Sequence, residues 1–89
     1  MSSVTIYSTP TCPYCLAAKA LLRSKGVEYN DISIEGDRDA AVALAKKTGR
    51  RTVPQIYIGA THVGGFDDLS ELNENGRLDA LLRREAALS

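Results

Sequence analysis

The sequence has no surplus charge, no long apolar run and almost no cysteine, and each shortage removes a class of function. Eleven basic residues balance eleven acidic ones, so no net field draws the chain to nucleic acid or to an anionic membrane. No apolar stretch approaches the ~20 residues that a membrane-spanning helix requires. Nothing repeats and no block of like charge interrupts the 89 residues, which suits one domain spanning 1–89. The first residues, MSSVTIYS, show neither the basic n-region nor the apolar h-region of a leader, so the expected location is the cytoplasm.

Cys12 and Cys15 are the only cysteines. Structural disulfides are rare in the cytoplasm, and closing so short a loop removes little entropy from the unfolded chain. A structural zinc needs about four ligands, and the sequence adds only His62 to the two thiols, so no metal site is expected within one chain. An iron–sulfur cluster shared between two chains is not excluded, because outside thiols can complete it. What is present is ordinary for a globular protein: 44% hydrophobic and 25% charged residues.

Periodicity orders these residues into elements. Val4 to Tyr7 (VTIY) is a β-branched and aromatic run of strand length. From Pro13 to Lys25 helix formers take over, with Gly26 placed as a C-terminal cap. VEYNDISI, ending at Ile34, alternates as a second strand. In RDAAVALAKKTG, Asp37 or Asp39 caps the start, Lys46 and Lys47 suit the last turn and Gly49 ends it. Pro54 opens QIYI, and QIYIGATHVG reads as a hairpin. The tail is amphipathic helix broken near Asn75–Gly76, with Leu69, Leu72, Leu78, Leu81 and Leu82 as its apolar stripe. The order β-α-β-α-β-β-α calls for a parallel pair with a right-handed crossover, plus an antiparallel hairpin. The fold class is therefore α/β: a four-stranded mixed sheet flanked by helices, thioredoxin-like in architecture.

Cys12 then falls at a strand-to-helix junction, with Pro13 at the first helical position. The N–H groups of the first turn, including those of Tyr14 and Cys15, point back at the Cys12 sulfur and favour thiolate over thiol. Cys15 lies one turn in, less exposed but close enough to form a disulfide. Such a pair within a βαβ unit points to redox chemistry, in which one sulfur attacks and its neighbour resolves.

TCPYC at 11–15, TVP at 52–54 and GGFDD at 64–68 together resemble the glutaredoxins, particularly the small bacterial dithiol type, over nearly the whole chain. The resemblance implies that Cys12 attacks a glutathione mixed disulfide and that Cys15 resolves it. It implies a glutathione site in which Tyr14 flanks the tripeptide and Thr52, Val53 and a cis Pro54 present backbone to it, like an added strand. Gly64 and Gly65 allow close approach, the N–H groups of Phe66 and Asp67 meet the γ-glutamyl carboxylate, and Asp67 or Asp68 meets its ammonium.

The implied activity is a glutathione-dependent thiol–disulfide oxidoreductase for protein disulfides and glutathione mixed disulfides. Glutathione serves as electron-donating co-substrate, and no bound cofactor is expected. Partners would be disulfide-bonded or glutathionylated proteins, ribonucleotide reductase among them, and balanced charge suits a monomer. The alternatives are a redoxin fed by thioredoxin reductase, and a dimeric iron–sulfur carrier, which Pro13 disfavours. Two positions depart from the family pattern: Thr9 stands where many members have lysine, and Phe66 where related bacterial members often have a further cysteine. Arg50 or Arg51 then becomes a candidate for carboxylate contact. His62 reads as an exposed hairpin residue, Asp67 as a helix cap, and Tyr7, Tyr29 and Tyr57 as strand packing.

Overall fold

The structure, a computed structural model, describes residues 4–50 and 52–88. In chain order the elements are β1 (Val4–Ser8), α1 (Pro13–Ser24), β2 (Asn30–Ser33), α2 (Arg38–Thr48), β3 (Gln55–Ile58), β4 (Thr61–Gly64), α3 (Phe66–Glu74) and α4 (Arg77–Leu88). The strands form one sheet in the order β2-β1-β3-β4. β1 pairs parallel with β2 and antiparallel with β3, and β3 pairs antiparallel with β4.

Alternation in β1 decides which face is core. Val4, Ile6 and Ser8 are buried, while Thr5 and Tyr7 look the other way. The register sets Val4 opposite Ile58 and Ile6 opposite Ile56, so four branched side chains make one apolar floor. Ala18 and Leu22 of α1, Leu69 of α3 and Leu78 of α4 close over it, all fully buried. Burying a side chain such as Leu22 contributes about 1.5–3 kcal/mol. Cys15, Ala18 and Leu22 are the buried residues of α1, one stripe at helical spacing. The packing that buries Leu22 therefore buries Cys15 and leaves Cys12 on the rim.

On the opposite face Tyr7 and Tyr57 meet edge to face with centroids 6.1 Å apart, an arrangement that the ring quadrupoles favour. Lys47 of α2 places Nζ 4.7 Å from the Tyr57 centroid, within cation–π range.

Three expectations change. β2 starts only at Asn30, and Tyr29 precedes it as a residue packed against the core rather than a strand residue. The break expected near Asn75–Gly76 is present, with Gly76 at φ +79°, a left-handed value that suits glycine, but it is complete, so the tail counts as two helices and the order becomes β-α-β-α-β-β-α-α. Of the predicted leucine stripe, Leu69 and Leu78 are fully buried, whereas Leu72, Leu81 and Leu82 are half-buried against them. Among the described residues no helix is long and apolar enough to cross a membrane.

Candidate active site

Cys12 is the N-cap of α1, with extended backbone (φ −81°, ψ 115°) and Pro13 following it into the helix. Its Sγ accepts the Cys15 N–H at 3.3 Å, so the sulfur replaces the oxygen that usually caps a helix. The Cys12 thiol lies 3.7 Å from the Val53 carbonyl, to which it donates. Cys12 is half-buried, Cys15 is fully buried, and both are free thiols. Burial first, then a hydrogen bond shared with Cys12, pushes the Cys15 thiol up to about 11; the Thr9 backbone and the Lys19 charge pull back only in part. Two neighbouring sulfurs therefore sit in unequal environments.

Val53, which the Cys12 thiol contacts, also lines a groove of about 280 Å³ between two short segments. Thr52, Val53 and Pro54 form one wall, and the Val53–Pro54 peptide is cis. Gly65, Phe66 and Asp67, at the start of α3, form the other. Tyr14, an exposed aromatic, stands at the groove with its ring tilted 33° to that of Phe66 at 6.3 Å. Asp68 and Arg50 complete the lining. The structure thus brings into one groove every residue of Tyr14, Thr52, Val53, Pro54, Gly65, Phe66, Asp67 and Asp68.

The acidic pair at the helix start is not symmetric. Gly65 is the N-cap of α3, and its N–H donates to Asp68 Oδ2 at 3.0 Å. The cap is therefore Asp68, not Asp67 as the sequence suggested; Asp67 points outward and is exposed. Arg50 Nη1 reaches the same Asp68 oxygen at 2.8 Å. The Arg50 hydrogen bond, then the Gly65 N–H, holds the Asp68 carboxyl below its ordinary range. Of the two arginines, Arg50 lines the groove, and Arg51 lies outside the described residues. Gly64 precedes all this at φ +116°, and a Cβ there would strike both the Asp68 carboxylate and the Arg50 guanidinium.

With this geometry in place, comparison with known proteins is decisive. The glutaredoxin family model matches residues 4–63. The chain belongs to the glutaredoxin family. It is 54% identical over 82 residues to a glutaredoxin of Pseudomonas aeruginosa, covering 92% of this chain and 98% of that one. It is 51% identical over 83 residues to glutaredoxin 3 of Escherichia coli, covering 93% of this chain and all 100% of its relative. Among solved structures it superposes on a buckwheat glutaredoxin–glutathione complex with a TM-score of 0.90 at 32% identity, covering 97% and 81% of the two chains. A glutaredoxin from Brucella melitensis matches with a TM-score of 0.82 at 49% identity, covering 92% and 89%. As a glutaredoxin, this protein is a glutathione-dependent thiol–disulfide oxidoreductase with a thioredoxin-like fold.

This glutaredoxin also braces its groove with two residues that sequence reasoning passed over. Gln55 follows the cis proline and is fully buried. Its Nε2 donates to the Thr52 carbonyl at 2.9 Å, and its Oε1 lies 2.7 Å from His62 Nε2. An amide oxygen only accepts, so His62 Nε2 carries the proton in this bond. His62 is half-buried, not the exposed hairpin residue that its position implied, and it stacks near Tyr57 with centroids 5.0 Å apart. The chain β4–Gln55–Thr52 ties the sheet to the wall of the groove. A polar residue directly after a proline was the available signal, and its burial was not readable from pattern.

Proposed function

We propose that Cys12 is the attacking thiol and Cys15 the resolving thiol, with glutathione lying in the groove between the Thr52–Pro54 segment and the start of α3. The observation that supports this most is the groove's end point: the Val53 carbonyl that forms its wall also contacts the Cys12 thiol. A tripeptide pairing with the Val53 backbone would deliver its own sulfur to that place. The N–H groups of Phe66 and Asp67 open a helix and suit the γ-glutamyl carboxylate. Asp67, the exposed carboxylate at the groove, suits the ammonium, because Asp68 already serves Arg50 and Gly65. The buckwheat relative was solved as a glutathione complex, which supports glutathione as the ligand.

The chemistry follows from the unequal sulfurs. Cys12 thiolate attacks a glutathione mixed disulfide, takes up the glutathionyl group and releases the substrate thiol. A second glutathione then attacks that group, leaving oxidised glutathione and the Cys12 thiolate. With a protein disulfide, Cys12 forms the mixed disulfide and Cys15 displaces the substrate as a dithiol, closing Cys12–Cys15. Two glutathione molecules reopen it. Glutaredoxin potentials of about −200 to −230 mV match a glutathione pool, which fits a cytoplasmic protein working as a monomer on disulfide-bonded and glutathionylated proteins. Ribonucleotide reductase belongs among the substrates to test. A coupled assay separates the electron donors. Glutathione with glutathione reductase should sustain turnover, and turnover with thioredoxin reductase alone would overturn the reading.

A further inference from the structure

The resolving sulfur poses a problem that the groove does not answer. Cys15 must lose its proton to attack, yet it lies in the apolar stripe beside Ala18 and Leu22, where burial disfavours a thiolate. One turn further along the same stripe stands Lys19. Its side chain is only 12% exposed, and its Nζ is 2.6 Å from Asp31 Oδ2 of β2. The other carboxylate oxygen, Asp31 Oδ1, accepts the Ser8 hydroxyl at 2.6 Å, and Ser8 ends β1 at 1% exposure. Neither Lys19 nor Asp31 nor Ser8 lines the glutathione groove.

An ammonium so nearly buried, clamped from two strands, is costly unless its geometry is maintained. Lys19 stands four residues beyond Cys15 in α1, the spacing at which side chains on one helix face are neighbours, and its positive charge acts to lower the Cys15 thiol. Asp31 faces Lys19 from β2 and offsets part of that charge. Burial works to raise Asp31, and the Lys19 and Ser8 hydrogen bonds outweigh it, so its carboxyl titrates below the ordinary range. The carboxylate is thus ionised at neutral pH.

We propose that Lys19 is a positioning residue for the resolving step, its charge favouring the Cys15 thiolate, and that Asp31 with Ser8 fixes its place and sets how much of that charge Cys15 feels. The step is balanced: Cys15 forms a bond to Cys12 Sγ, and the Cys12–substrate disulfide breaks. The Cys15 proton passes to solvent, and the leaving thiolate takes one up. Because reduction of glutathione mixed disulfides needs only Cys12, the pair governs the dithiol branch alone. This rests on the assignment of Cys12 and Cys15 made above.

The test is single-turnover reaction of the reduced protein with one equivalent of dithiobisnitrobenzoate, with no glutathione present. The first released nitrothiobenzoate reports attack by Cys12, and the second reports resolution by Cys15. A loss of one pKa unit of charge stabilisation cuts thiolate tenfold, while a Brønsted slope of about 0.5 returns about threefold in nucleophilicity. Lys19→Met should therefore slow the second phase about threefold at neutral pH. Asp31→Asn should speed it, Lys19→Arg should retain the wild-type rate, and the first phase should stay as it is. Opposite signs from Lys19→Met and Asp31→Asn are what a merely structural pair could not produce. If both variants slow the second phase, or if Lys19→Met leaves it unchanged, the proposal is overturned. A first phase that survives Cys12→Ser would overturn the thiol assignment itself, and the proposal with it.

Discussion

Gly64→Ala adds one methyl group at the point where the sheet hands the chain to the glutathione groove. Two separate costs follow. The first is conformational: φ at Gly64 is +116°, and holding a residue with a Cβ in such a region costs about 1–3 kcal/mol. The second is local contact, because the methyl falls on the Asp68 carboxylate and the Arg50 guanidinium. Both are tips of flexible side chains, so they swing aside, and what is lost is their bonding. The Arg50–Asp68 pair has side chains 49% and 39% exposed, which limits it to about 0–1 kcal/mol. The Gly65 N–H to Asp68 hydrogen bond adds about 1 kcal/mol. The sum is about 2–5 kcal/mol, with the backbone as the largest share. For a domain of this size that corresponds to a fall in Tm of about 8–40 °C. Thermal melts give this directly, and steady-state assays should show a raised KM for a glutathione mixed disulfide. Arg50→Ala is the control, since it removes the ion pair without straining the chain; it should cost no more than about 1 kcal/mol. A Gly64→Ala protein melting within about 3 °C of the parent would refute the strain reasoning. So would an Arg50→Ala protein destabilised as much as Gly64→Ala.

Cys12→Ser should abolish reduction of both protein disulfides and glutathione mixed disulfides, whereas Cys15→Ser should spare the latter and impair the former. Equal loss of both activities in Cys15→Ser would show that it does more than resolve. Gln55→Ala should cost about 1–3 kcal/mol in chemical denaturation and raise KM, since Thr52 loses its brace. Paired with His62→Ala, the double variant should cost less than the two singles added, and strict additivity would disprove the brace. The lowered Asp68 carboxyl implies stability present above the unfolded carboxylate value of about 3.9. That stability fades as pH falls through the lower folded value. Asp68→Asn should flatten the stability–pH curve below about pH 4, and a curve as steep as the parent's would count against the Arg50 contact.

Local chemistry was legible where one residue decides the outcome. Asp37 caps α2 by accepting the Ala40 N–H at 3.0 Å, and Gly49 ends it in the left-handed region. Strand length was less legible, because a strand exists only as far as its partner does. VEYN alternates well, but among the described residues the parallel register runs from Thr5–Asn30 to Ser8–Ser33. Choices between adjacent equivalents were not legible at all. Asp67 and Asp68 differ by 100° around a helix, and only the three-dimensional structure shows which one turns back onto Gly65. Gln55 has no apolar pattern to reveal its burial.

The clearest case of legible chemistry is the thiol pair, and its asymmetry traces to one residue. With Cys12 as N-cap, a spacing of three makes Cys15 the third helical residue, whose N–H reaches the cap side chain. The Cys15 amide therefore donates to the Cys12 sulfur, at 3.3 Å. Its side chain, set by the same helical phase, joins Ala18 and Leu22 in the core and resists charge of its own. A spacing of two would have moved that side chain about 100° off the buried stripe, while the capping N–H would have stayed with the third helical residue. Three residues of separation thus give both effects at once: an attacking sulfur assisted by its neighbour's backbone, and a neighbour whose own sulfur stays protonated until it is needed.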